Sequence, residues 1–207
     1  MIGAGGSPDG PIDPEEGQYL RPELAGVYWR SEVFELEALN LADARIWLAT
    51  RPARREELLT QSFQHELHRR MYGAVWTWAG ARRVRENNIG INPQHIADRW
   101  EQLLGNVGYW LDQGTFHADE ACIRYYFEQR EIQPFHDGNS RLGRFVVNKL
   151  AELSGLEQPG RARYPFGRGE DPRTVREEYL VAMRGARRGH FGPLVDLARR
   201  GGSGLAR

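Results

Sequence analysis

Apolar residues recur at helical spacing over most of the chain. Across residues 31–50, Val33, Phe34, Leu36, Leu39, Leu41, Ile46, Trp47 and Leu48 form a stripe broad enough for a mostly buried helix. A second helix is predicted over 55–71, carrying Leu58, Leu59, Phe63 and Leu67. The period returns over 94–111 through Ile96, Trp100, Leu103, Leu104, Val107, Tyr109 and Trp110. It continues over 118–131 through Ala121, Cys122, Tyr125 and Phe127. A helix over 139–153 is stopped by Ser154-Gly155, and two last helices are predicted over 173–187 and 193–199.

Between these helices the pattern breaks in three places. Residues 72–93 run through Val75, Trp76 and Trp78 to Gly80, then through the turn-like Asn87-Asn88-Ile89-Gly90. This composition predicts a loop with a short β-hairpin over 82–91. Residues 157–171 form a connector rich in Gly, Pro and Arg, and residues 1–12 form a Gly/Pro-rich, flexible N-terminal segment. The expected organisation is an all-α domain over 13–200 with one small β-hairpin, followed by a flexible tail over 201–207. No internal repeat is present.

Composition narrows the setting. With 207 residues and 40% hydrophobic content, the chain can bury one substantial core. The formal charge is zero, so nothing global points to a nucleic-acid or membrane partner. Lys149 is the only lysine, and arginine supplies the rest of the basic charge. Cys122 is the only cysteine, which excludes an intramolecular disulfide and reads as a small buried residue. No apolar run approaches 18 residues and no charged-then-apolar leader opens the chain, so a soluble, cytoplasmic protein is expected.

The chemistry concentrates in residues 133–144, Gln-Pro-Phe-His-Asp-Gly-Asn-Ser-Arg-Leu-Gly-Arg. Pro134 biases Gln133 away from helix, so the preceding helix should end there. Asp137-Gly138-Asn139 suits a tight turn and a helix cap. The new helix would open with unpaired backbone N–H groups, which form an anion site. Arg141 and Arg144 follow on one face of its first turns, where the helix dipole disfavours cations. Free N–H groups and two guanidiniums suit a multiply charged anion such as phosphate. Asp137 sets a carboxylate beside that anion, which favours a bridging Mg²⁺. Together these point to a nucleotide di- or triphosphate. The alternative is a plain turn and cap, with the arginines paired to acids elsewhere.

At these residues the chain resembles the Fic (Fic/Doc) family, whose motif reads His-Pro-Phe-x-Asp/Glu-Gly-Asn-Gly-Arg-x-x-Arg. Pro134, Phe135, Asp137, Gly138, Asn139, Arg141 and Arg144 match it. Leu67-His68-Arg69-Arg70-Met71-Tyr72-Gly73 and Trp76-Thr77-Trp78-Ala79-Gly80 are similar to the segment leading into the family's flap. Tyr179-Leu180-Val181-Ala182-Met183 and Gly189-His190-Phe191-Gly192-Pro193-Leu194 are similar to its closing helices. The likeness runs over about residues 13–200 and is nearest the bacterial subgroup called mobile mystery protein B. It implies a Fic-fold helical bundle with a β-hairpin flap, and transfer of AMP from ATP, or of a related phosphate-linked group, to a protein or small-molecule acceptor. By position, Asp137 would hold Mg²⁺, the backbone of Gly138, Asn139 and Ser140 would form the anion hole, and Arg141 and Arg144 would contact phosphates. Residues 82–91 would register the acceptor.

Two positions depart from the family pattern. Gln133 stands at the histidine that serves as general base, and an amide cannot accept a proton near neutral pH, though it can orient a group. Ser140 replaces the second motif glycine, which either narrows the anion hole or adds a donor. His136 is read as solvent-facing or structural rather than as a replacement base. His65 and His68 are read as ordinary surface or interfacial histidines, because no third metal ligand follows at a recognised spacing. Ser31 to Glu35 and Thr174 to Glu178 carry the spacing of the family's inhibitory Ser/Thr-x-x-x-Glu motif without the following Gly or Asn, and are read as ordinary helix. The chemistry expected is therefore an altered Fic-like transfer. The alternative is a catalytically inactive nucleotide-binding or interaction module.

Overall fold

The computed structural model describes residues 10–156 and 172–202. Helices dominate them, and isolated bridges take the place of strands. A short α1 (Pro14–Gly17) is capped by the Asp13 carboxylate, which accepts from the Glu15 N–H. The long α2 (Arg30–Thr50) follows, then α3 (Arg55–Leu58), α4 (Gln61–Tyr72), α5 (Ile96–Gln113), α6 (Ala118–Ile132) and α7 (Asn139–Leu153). The described chain closes with α8 (Pro172–Ala186) and α9 (Gly192–Gly202).

The most buried helix is α6, and its sequence explains why. Apolar or uncharged residues face inward on nearly every side, from Ala121, Cys122 and Ile123 through Tyr125, Tyr126 and Phe127 to Ile132. A helix so lined must be covered all round. Helices α5, α7 and α9 pack against it. Trp100 of α5 and Phe135 are fully buried beside this centre, with ring centroids 5.4 Å apart and edge-on. Cys122 lies in the core as expected, and burial pushes its thiol up to about 12. No helix among the described residues is long and apolar enough to cross a membrane.

Three expectations change. The helix expected over 55–71 is two helices, because Thr60 leaves the helical conformation and its hydroxyl accepts from the Phe63 N–H as the N-cap of α4. Helix α2 is not mostly buried. Only Val33, Glu37, Ala44 and Leu48 are, while Leu39 and Ile46 are more than 60% exposed. Its apolar residues surround the helix, and α4 covers one side. The hairpin expected over residues 82–91 is a single irregular loop whose backbone bridge is to Phe135, beside Gln133. Residues 1–9, 157–171 and 203–207 lie outside the described residues, but Pro11 and Ile12 are paired with Trp29 and Tyr28.

Candidate functional site

The site is assembled where α6 ends and α7 begins. Gln133 terminates α6 in the left-handed region (φ 52°), its N–H returning to the Gln129 carbonyl. This conformation costs a side-chain-bearing residue about 1–2 kcal/mol. Pro134 forbids further helix. The Gln133 amide donates to the Arg130 carbonyl at 2.8 Å, so the side chain folds back onto its own helix end. Gly90 of the 82–91 loop lies over it, and a Cβ there would sit 2.7 Å from the Gln133 Cβ.

Arg83 holds that loop in place. Its buried guanidinium donates to the Gln133 carbonyl at 2.6 Å, to Ile132 at 3.2 Å and to Arg85 at 3.0 Å, and also to Ile91. Backbone pairing of Arg83 with Pro134 and of Arg82 with Phe135 completes the junction. One side chain thus satisfies carbonyls at both the loop, Arg85 and Ile91, and the end of α6, Ile132 and Gln133.

Phe135 plunges into the core and stacks on His68, centroids 3.8 Å apart at 7°. His68 is fully buried, contrary to its reading as an ordinary surface or interfacial residue. Its Nδ1 accepts from the Gly80 N–H at 2.9 Å, which leaves Nε2 to donate to the Asp137 carbonyl at 3.0 Å. Burial lowers its pKa to about 3, so the ring is neutral at physiological pH. His65, half-buried, bonds the Gly80 carbonyl through Nδ1 at 2.8 Å. Asn139 clasps the same turn: its side chain accepts from the Phe135 N–H and donates to the Phe135 carbonyl. It therefore does not cap the helix, as the turn-like composition had suggested.

The N-cap of α7 is Gly138, left-handed at φ 74°, and no side chain caps the helix. The first N–H groups of this 15-residue helix accordingly have no intrahelical or side-chain acceptor. A Cβ on Gly138 would lie 2.4 Å from the buried Tyr72 ring, so only glycine permits the turn.

The charged residues divide. Arg141 is already engaged, donating to Glu37 at 2.8 Å and to the Tyr72 hydroxyl at 3.3 Å. Glu37 also accepts from the Trp76 indole N–H at 2.7 Å. Arg144 is half-buried and has no hydrogen-bond or ion-pair partner among the described residues. Asp137 is exposed, its carboxylate likewise without a partner among the described residues. Glu16 bonds Arg30 at 2.8 Å, and burial raises its pKa, reinforced by the nearby Asp137 and Glu37 carboxylates. The Ser140 hydroxyl lies 3.1 Å from the Tyr126 hydroxyl. His136 sits between Tyr19 and Trp78, with centroids 4.9 and 5.7 Å away, and burial lowers its pKa.

Asp137, Gly138, Asn139, Ser140, Arg141 and Arg144 are thus gathered at one helix start, and Gln133 sits behind them with its amide committed. Among the described residues no three His, Cys, Asp or Glu side chains could hold a metal by themselves. Asp137 suits Mg²⁺, which typically takes one or two carboxylates and completes its shell with phosphate and water. Sequence reasoning missed Glu37, Tyr72, Arg83 and Tyr126. No local signal marks them, because each meets the site from a distant segment.

Residues 58–151 match the sequence profile of the Fic/DOC family. The N-terminal Fic domain of a Bep effector from Bartonella sp. AR 15-3 has a TM-score of 0.66 at 15% identity, over 88% of this chain and 90% of that one. BepC of Bartonella tribocorum, solved with bound AMPPNP, gives 0.61 at 15% identity, over 90% and 97%. The N-terminal Fic domain of a VirB-translocated Bep effector from Bartonella quintana, with bound ADP, gives 0.63 at 14% identity, over 84% and 86%. Among proteins of curated function, none matches the sequence. Residues 58–151 thus carry the Fic/DOC family's sequence pattern, and the described helices share the fold of these Fic domains.

Proposed function

We propose that this chain is a Fic-like transferase that binds a phosphate-containing nucleotide, ATP foremost, with Mg²⁺ and moves AMP or a related phosphate-linked group. The uncapped start of α7, flanked by Arg144 and Asp137, which have no partner among the described residues, carries this reading. Leaving a guanidinium at the positive end of a helix dipole is unfavourable unless an anion sits there. AMPPNP and ADP in two structurally similar Fic proteins support a nucleotide as that anion. Asp137 would hold Mg²⁺, which would offset phosphate charge. Gly138, Asn139 and Ser140 would offer backbone N–H groups, Arg144 would bind phosphate oxygens, and Arg141 would join after parting from Glu37.

In AMP transfer, an acceptor oxygen forms a bond to the α-phosphorus as the bond to the bridging oxygen breaks and pyrophosphate leaves. A hydroxyl acceptor must lose a proton, and Gln133 cannot take it. An acceptor already ionised, such as a carboxylate or phosphate on a protein or metabolite, needs no base. The second reading, a catalytically inactive nucleotide-binding or interaction module, is favoured by one observation: the Gln133 amide is spent on the Arg130 carbonyl.

Calorimetry with ATP and Mg²⁺ tests the site. Arg144→Ala should weaken binding roughly 100-fold, the scale of losing charge-assisted hydrogen bonds. Equal affinity in the two proteins would remove Arg144 from the reading, and no binding in either would sink the phosphate site. Gln133→His separates the two functions. Restoring a positioned base should raise AMP transfer to hydroxyl acceptors in a lysate by about 10²–10⁴-fold. A variant that binds ATP yet transfers nothing would favour the inactive module.

A further inference from the structure

Ser140 is the second residue of α7, and every helical Cα–Cβ bond leans toward the helix N-terminus. A side chain at this position therefore tilts into the space that an anion on the free N–H groups would occupy. Serine adds a second difficulty, because its hydroxyl readily bonds nearby backbone groups and would compete with a ligand for them. In this fold the hydroxyl has another partner, the Tyr126 hydroxyl at 3.1 Å. Tyr126 is itself tightly packed. It is 1% exposed on the central helix α6, and its ring lies against α7, where a Cβ on Gly143 would be 3.1 Å from Cδ2. The hydroxyl also hydrogen-bonds Arg130 and Tyr179.

We propose that Tyr126 is a positioning residue for the anion site: it holds the Ser140 hydroxyl against α6 and so keeps the N–H groups at the start of α7 open to phosphate. This rests on the reading of that helix start as a phosphate site. It also resolves the two alternatives posed by serine at a glycine position. The hydroxyl neither narrows the hole nor donates into it, because α6 retains it.

A double-mutant cycle on the full chain tests the idea, with ADP and Mg²⁺ as the titrated ligand. Tyr126→Phe should weaken ADP binding about fivefold when Ser140 is present, the scale of one hydrogen bond. In a Ser140→Gly background the same change should cost nothing further, since no hydroxyl remains to stray. A purely structural role for Tyr126 would behave differently. It would lower affinity and thermal midpoint equally in both backgrounds. Equal losses in both backgrounds overturn the proposal, as does unchanged affinity for Tyr126→Phe with Ser140 in place. Failure of the natural protein to bind ADP overturns the phosphate reading and this proposal together. Binding without coupling overturns the proposal alone.

Discussion

Gly138→Ala should lower the thermal midpoint by on the order of 10 °C and abolish nucleotide binding. Two costs combine. Placing a Cβ-bearing residue at φ 74° costs about 1–2 kcal/mol. The new methyl would also lie 2.4 Å from the ring of Tyr72, which is 1% exposed and cannot retreat, and such overpacking adds about 1–3 kcal/mol. The sum, about 3 kcal/mol, converts to that midpoint shift for a chain of this size. Relief would come by rotating the turn, which moves the first N–H groups of α7 away from the proposed anion site. Gly114→Ala is the control. It shares the left-handed backbone (φ 61°), but a methyl there would meet nothing within 4 Å, so only the backbone cost applies. Scanning calorimetry should rank natural protein, Gly114→Ala and Gly138→Ala in falling stability. Equal losses in the two variants would mean that Tyr72 does not confine the turn.

Mild acid should destabilise the protein through His68. In the unfolded chain this ring binds a proton near pH 6.5, but in the folded core it refuses one until about pH 3. Between those values the unfolded state holds more protons, so stability falls as pH falls, by up to roughly 1.4 kcal/mol per pH unit. Above pH 6.5 the two states hold the same number and the contribution is fully retained. Protonation would also remove the Nδ1 lone pair that accepts from Gly80, loosening the turn beside Asp137. Carboxylates titrate in the same range, so the measurement is a comparison. Urea unfolding at pH 7, 5.5 and 4.5 should show a shallower decline for His68→Gln than for the natural protein. Parallel declines would show that His68 is not the titrating group.

Much of the scaffold was legible because helical periodicity and its punctuation are local properties. The ranges predicted for α5, α6 and α7 match the observed helices within about two residues, and Gln133-Pro134 and Gly138 mark the junction between α6 and α7. Helix α2 shows the limit. Its apolar residues predicted burial, but a helix apolar on several sides does not say which side its neighbours will cover. The 82–91 loop shows another. Its turn residues suggested self-pairing, whereas the Arg83 guanidinium ties it to the Ile132 and Gln133 carbonyls at the end of α6.

For the site, sequence alone determined that Asp137, Gly138, Asn139, Ser140, Arg141 and Arg144 would share one helix start, since contiguous residues in a turn and first helical turns have no other arrangement. It also determined that position 133 carries no proton acceptor. Tertiary structure alone decided how those residues are occupied. Arg141 is tied to Glu37, 104 positions away, while Arg144 is left without a described partner. Ser140 is turned to Tyr126, and the Gln133 amide is folded onto Arg130. The physical reason is one of range: backbone preferences act over a few residues, whereas the partner of a charge or hydroxyl is whatever distant segment packing brings within hydrogen-bond reach.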